Sequence, residues 1–145
     1  MSRSFMNRKN RTAILVKGNW QIAGSLAQEI ISKYNVQIIQ KPSRGLVMIK
    51  VREGARKSVF YLGEMLVTEC KVQINEYLGV GVIHDDNAEM AYNLAVIDAA
   101  YNACLLETTA WEKTLIAEHE RIRSREGKEM ASVLKTKVNF TTMDV

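Results

Sequence analysis

The densest cluster of side chains able to do chemistry is His84-Asp85-Asp86, with Glu89 just beyond it. Carboxylates and an imidazole this close could hold a divalent cation through oxygen ligands. The same residues also read as a helix start. Asp85 or Asp86 can serve as the cap, and Glu89 follows Asp86 at the spacing of a capping box. Acids are favoured at the positive end of a helix, so the spacing favours the cap over the metal. Asp98 could act as an acid–base group or make a structural hydrogen bond or ion pair, the commoner role for such a residue. Cys70 could be a nucleophile, but no histidine partner can be assigned to it.

Other catalytic arrangements are excluded by composition and spacing. His84 and His119 are the only histidines, so Glu118-His119-Glu120 cannot belong to an HExxH zinc site. Cys70 and Cys104 lie in different elements and neither has zinc-ligand spacing to a histidine; as cytosolic thiols they stay reduced. Gly79-Val80-Gly81-Val82-Ile83-His84 begins like a dinucleotide-binding GxGxxG. The third glycine is absent, and both glycines sit within a strand rather than a strand-to-helix turn. They mark instead a place where an alanine-rich helix comes close to the backbone. No catalytic constellation emerges.

The elements that position these residues follow from periodicity. Residues 8–34 read as helical with a break near Gly18-Asn19, and Ile22, Leu26, Ile30 and Ile31 form one stripe. A β region follows: Val36–Gln40, a turn at Pro42-Ser43-Arg44-Gly45, Leu46–Arg52, a turn at Glu53–Arg56, Ser58–Leu62, Val67–Ile74 and Tyr77–Ile83. In Val67–Ile74, Cys70, Val72 and Ile74 point one way, and Glu69, Lys71 and Gln73 the other. Short connections predict an antiparallel meander of four to five strands. Ala88, Ala91, Ala95, Ala99 and Ala103 then recur at helical spacing. A last helix is predicted from about Thr109 to Lys135, with Glu118 and Arg121 as a favourable pair, and an extended tail over Val138–Val145. The whole reads as one α+β domain: N-terminal helices, an antiparallel sheet, two C-terminal helices and the tail.

The chain has 145 residues, 47% hydrophobic and 25% charged, which suits a globular domain with a real core. Its net charge of +4 is unevenly placed. Arg3, Arg8, Lys9, Arg11 and Lys17 lie at the N-terminus with no acid among them, so the rest is slightly acidic. Nucleic-acid binders carry the basic face on folded elements, whereas here the excess lies in the terminal residues 1–17, the first ten of which read as a basic arm. No signal-peptide apolar stretch follows that arm, and no run approaches the ~18 apolar residues of a membrane span. The expected location is the cytoplasm. One feature suggests a partner. Leu46-Val47-Met48-Ile49 and Val59-Phe60-Tyr61-Leu62 are apolar on both strand faces; helices on one side cover only one face, so the other must be covered by more of this chain or by another subunit.

Four segments carry a resemblance to the PhnG family. Gly45-Leu46-Val47-Met48 resembles its GLVM strand. Leu62-Gly63-Glu64 with Val67, Thr68, Cys70 and Val72 is similar to its LGE…VT.C.V segment. Ala88-Glu89, Ala95 and Ile97-Asp98-Ala99 resemble its AE…A..DA helix. Thr136, Val138, Phe140, Thr142 and Met143 resemble its T.V.F.TM ending. The match runs in order over about residues 11–143.

The resemblance implies a subunit of the carbon–phosphorus lyase core complex, with PhnI-, PhnH-, PhnJ- and PhnL-type subunits as partners in an obligate hetero-oligomer. The implied reaction transfers an alkylphosphonate to ribose C1′ of ATP, releasing adenine and forming α-D-ribose 1-methylphosphonate 5-triphosphate. Catalysis is expected in the PhnI-type subunit and iron–sulfur chemistry in the PhnJ-type subunit, with no cofactor here. The implied motif and interface residues are Met48, Phe60, Gly63, Glu64, Thr68, His84, Asp85, Glu89, Asp98, Phe140, Thr142 and Met143. Many relatives carry Gly-Arg-Asp before the Ala-Glu pair. Here the stretch is Ile83-His84-Asp85-Asp86-Asn87, so that arginine has no counterpart. Two rival readings are a stand-alone phosphate-handling enzyme and a nucleic-acid binder using the basic arm. The first lacks a phosphate loop and a nucleophile–base pair.

Overall fold

The computed structural model describes the backbone of residues 7–52 and 59–143, and the side chains of residues 7–48 and 63–128. Its elements, in chain order, are α1 (Arg8–Lys17), α2 (Trp20–Lys33), β1 (Val36–Arg52), β2 (Val59–Ile74), β3 (Tyr77–His84), α3 (Ala88–Asn102) and α4 (Leu106–Met143). They form two compact units: Trp20–Trp111, and Met1–Asn19 with Glu112–Val145.

The unit Trp20–Trp111 is built on an antiparallel sheet in the order β1-β2-β3. The α+β class and antiparallel order match the sequence reading, but there are three strands, not four to five. Each of the two long strands joins two of the expected runs. Pro42-Ser43-Arg44-Gly45 does not turn the chain. It lies within β1, where the register slips between Ile38 and Gln40 and again between Gln40 and Ser43. Proline lacks an N–H, and bulges on an edge strand accommodate it. Gly63 similarly stays inside β2, paired with Ile49. The turn expected at Glu53–Arg56 lies outside the described residues. Between β2 and β3 a tight connection brings Ile74 opposite Tyr77, with Asn75 in the left-handed region at φ 56°.

One sheet face carries the core. Along β2, Thr68, Cys70, Val72 and Ile74 are buried, alternating with less buried Glu69, Lys71 and Gln73, as the period-two pattern requires. Along β3, Gly79, Gly81 and Ile83 are buried on the same face. Helix α3 packs on β2 and β3, and α2 packs on α3. Ala91, Ala95 and Ala99 of α3 are wholly buried. A Cβ at Gly79 would overlap the Ala95 carbonyl and the Ala99 backbone; one at Gly81 would overlap the Ala91 carbonyl and the Ala95 backbone. The two glycines are therefore where the alanine-lined helix meets the strand, as their spacing suggested. Within this unit the first turns of α4 are held by Trp111, which donates from Nε1 to Glu29 Oε1 at 2.9 Å and packs edge-on against Tyr101.

The unit of residues 1–19 and 112–145 pairs α1 with most of α4. Asn7 caps α1 by accepting from the Asn10 N–H at 2.8 Å. Ile14, Leu15, Leu115 and Ile122 are buried. Glu118, also buried, accepts from the Asn19 backbone N–H at 2.6 Å and from both Nε and Nη2 of Arg121 at 2.7 and 2.8 Å. The Arg121 guanidinium, helped by the Asn19 N–H and opposed by burial, holds the Glu118 carboxyl below its ordinary value. Arg125 donates to the Lys17 carbonyl at 3.0 Å, so the end of α1 is tied to α4 by charge as well as packing.

α4 departs from expectation at both ends. It starts at Leu106 rather than Thr109, with Glu107 favourably placed in its first turn. It also continues through Met143, so residues 138–143 are helical, not extended. The Thr, Val and Phe there favour a strand only where another strand supplies hydrogen bonds. Extending an existing helix satisfies each added backbone group within the helix itself.

Two outcomes follow from these contacts. Gly81→Ala should cost about 3 kcal/mol, because the obstacle is helix backbone rather than a flexible side chain. Gly45→Ala, with nothing within 4 Å, should leave the melting temperature nearly unchanged. Equal melting temperatures for both variants in thermal unfolding would refute the close-approach account. For Glu118 the stabilisation is present above the ordinary glutamate value of 4.5 and lost as pH falls through the lower folded value. Glu118→Gln should cost about 2 kcal/mol at neutral pH and flatten the decline in melting temperature on acidification. An unchanged acid slope in the variant would remove Glu118 as its source.

Candidate functional site

The loop between β3 and α3 is held by Thr68 of β2. The Thr68 hydroxyl donates to the Asp85 carbonyl at 2.7 Å and accepts from the Asn87 N–H at 3.0 Å. The Asp85 N–H donates to the Leu66 carbonyl at 2.8 Å. Asp85 sits at φ 86°, a left-handed conformation that aspartate tolerates better than most residues. Its carboxylate accepts from the Asp86 N–H at 3.2 Å, and the Asp86 carboxylate meets Arg44 of β1 at 3.5 Å.

The helix cap is Asn87, not Asp85 or Asp86. Its side chain accepts from the Met90 N–H at 2.9 Å. It is the loop residue with extended cap geometry immediately before Ala88, since Asp85 is left-handed and Asp86 is turned towards Arg44. Glu89 still lies in the first turn, where the helix dipole favours it. The motif residues Thr68 and Asp85 are thus brought into direct contact, with His84 exposed beside them. The other half of the metal reading is not assembled: among the described residues no group of three or more His, Cys, Asp or Glu converges.

The remaining sequence candidates are dispersed. Asp98 is buried and accepts from the Val80 N–H of β3 at 2.9 Å, the structural hydrogen bond set against an acid–base role. Four residues on, Asn102 donates to the Leu78 carbonyl of the same strand at 2.7 Å. Cys70 is fully buried, and burial pushes its thiol up, away from the thiolate a nucleophile needs. Cys104 is exposed and also free. Met48 pairs with Glu64 across β1 and β2, and both are exposed, next to the Ile49–Gly63 pair. The side chains of Phe60, Phe140, Thr142 and Met143 lie outside the described residues.

A groove between α2 and α3 went unnoticed in the sequence. It is lined by Trp20, Gln21, Gln28, Ser32, Asn87, Asn93 and neighbours, with Met90 also contributing. Amides and hydroxyls predominate, the charges are the carboxylates of Glu29 and Glu89, and no lysine or arginine lines it. Such a surface offers hydrogen bonds to neutral polar groups. The polar positions of α2 between its apolar stripe were the available signal. No helix among the described residues is long and apolar enough to cross a membrane.

Residues 6–144 match the family described as phosphonate metabolism protein PhnG. The chain belongs to the PhnG family. Its role therefore lies in phosphonate metabolism, and the motif segments fall on definable parts of a PhnG-family fold. The GLVM segment is in β1 and the LGE…VT.C.V segment in β2. The AE…A..DA segment lies in α3, where Ala95, Asp98 and Ala99 meet the sheet while Ala88 and Glu89 are exposed in its first turn, and the T.V.F.TM segment is the end of α4. No curated protein matches the chain.

Thr68 makes the clearest prediction for this loop. Thr68→Val keeps the shape but strands the Asn87 N–H, at a cost of about 1–3 kcal/mol. Amide exchange at residues 85–88 should accelerate, and Thr68→Ser should restore most of the protection. Slow exchange in the valine variant would show that the loop is held by something else.

Proposed function

We propose that this chain is a subunit, without an active site of its own, of the carbon–phosphorus lyase machinery. With its partners it supports displacement of adenine from ATP by an alkylphosphonate. A phosphonate oxygen bonds to ribose C1′, the glycosidic bond to adenine breaks, and adenine leaves carrying a proton. The product is α-D-ribose 1-methylphosphonate 5-triphosphate.

The observation that carries this reading is PhnG-family membership over residues 6–144. The residue chemistry supports the non-catalytic part. Asp98 is committed to β3, Asp86 to Arg44 and Cys70 to the core, while no lysine or arginine lines the α2–α3 groove. On this reading PhnI-, PhnH-, PhnJ- and PhnL-type subunits are the cytoplasmic partners. ATP is the substrate of the complex, and the iron–sulfur chemistry belongs to the PhnJ-type subunit. The exposed apolar residues Leu46, Val47 and Met48 support an obligate assembly.

Co-expression with the PhnI-, PhnH- and PhnL-type subunits tests it. The purified set should release adenine from ATP and methylphosphonate, and omission of this chain should abolish release. The chain alone should release none. Turnover by the isolated chain, or full activity without it, would overturn the proposal.

A further inference from the structure

The two edges of the sheet are treated differently. On the β3 edge, side chains of α3 take the place of a neighbouring strand. Asp98 accepts from the Val80 N–H, and Asn102 donates to the Leu78 carbonyl. Edges of sheets are ordinarily protected by such cover. On the other edge β1 runs for 17 residues and pairs, among the described residues, with β2 alone. β3 pairs only with Val67–Ile74. The ribbon of Leu46–Arg52 and Val59–Leu66 therefore projects past the third strand, and a two-stranded ribbon is marginal by itself.

That ribbon is apolar where it is open. Leu46, Met48 and Leu66 are exposed by 64%, 55% and 37% on the face that α3 covers further along. Val47 and Met65 are exposed by 44% and 37% on the opposite face. An added strand on β1 would extend both apolar faces and pair the open backbone groups.

Charge decides what kind of strand fits. β1 carries Lys41, Arg44, Lys50 and Arg52 and no acid. Edge-to-edge pairing of two copies would set cation against cation, which destabilises a ladder. A strand of alternating acidic and apolar residues is complementary. A nucleic acid is a poorer fit, because Glu64 of β2 lies on the same ribbon beside exposed aliphatic side chains.

We propose that the outer edge of β1, from Ser43 to Arg52, accepts a β-strand of alternating acidic and apolar residues from another polypeptide. It rests on the proposed function only in taking that polypeptide to be another subunit of the assembly.

The test uses the full chain with no other subunit present. The probes are capped peptides of about ten residues, the length of a long strand, alternating glutamate with valine or lysine with valine. A single-stranded RNA is a third probe. The glutamate peptide should bind about tenfold more tightly than the lysine peptide and slow exchange of alternate amides within residues 43–52. Leu46→Glu with Met48→Glu should lose about tenfold in that affinity while keeping the melting temperature, since both residues are exposed. Absence of binding, equal binding of the two peptides, protection outside β1, or tighter binding of RNA at the same amides would each overturn the inference. Loss of co-purification with intact peptide binding counts against the proposed function alone; the reverse counts against this inference alone.

Discussion

The contact on which this fold depends is the approach of α3 to β3. It contains almost no side chain. Gly79 and Gly81 remove the strand's side chains on one face, and Ala91, Ala95 and Ala99 reduce those of the helix to methyl groups. At that separation the helix can reach beyond the sheet surface to its edge, where Asp98 and Asn102 satisfy backbone groups of β3. A larger residue at any of these positions would lift the helix and strand those groups. The same contact aims the N-terminus of α3 at the loop that Thr68 holds.

The polar chemistry of the chain is turned inward to this architecture. Hydroxyl, carboxylate and amide groups that could have served a reaction are engaged in holding loops and strand edges. Thr68 fixes two backbone groups of the β3–α3 loop, Asn87 caps the helix, and Glu118 gathers Asn19 and Arg121. Each is a short hydrogen bond with a buried or half-buried partner, the situation in which leaving a group unpaired costs most. What lies open on the projecting ribbon is of another kind: aliphatic side chains and a strand edge unpaired among the described residues.

The sheet shows how this division is made. One edge is closed by α3 and one face is filled by its alanines, so order there comes from within the chain. At the far end of the β1–β2 ribbon the apolar alternation continues, and among the described residues Leu46, Met48 and Leu66 are exposed there. A two-stranded ribbon with apolar residues on both faces gains little by folding alone, because neither face leaves water.

Much was legible in the residues themselves. The Leu26 and Ile30 positions of the α2 stripe, the alternation of Cys70, Val72 and Ile74, and the alanine repeat of α3 are periodic, and periodicity reports which face is buried, although Ile22 and Ile31 of the stripe are only half-buried. The glycine pair in β3 and the apolar GLVM run also carried their meaning locally, the one as a close approach and the other as an uncovered surface. What depended on distant partners was not legible. Pro42-Ser43-Arg44-Gly45 has turn composition, yet pairing with β2 keeps it in a strand, because ladder hydrogen bonds on either side outweigh a local preference. Residues 138–143 have strand composition, yet a helix already running propagates through them. The cap moved from Asp86 to Asn87 because Arg44 and Thr68, far away in sequence, hold the two aspartates elsewhere. Local pattern determined the buried faces of the periodic elements; only the tertiary structure decided where strands and the last helix continue and which polar groups meet, since a contact between distant residues leaves no periodic trace in the chain.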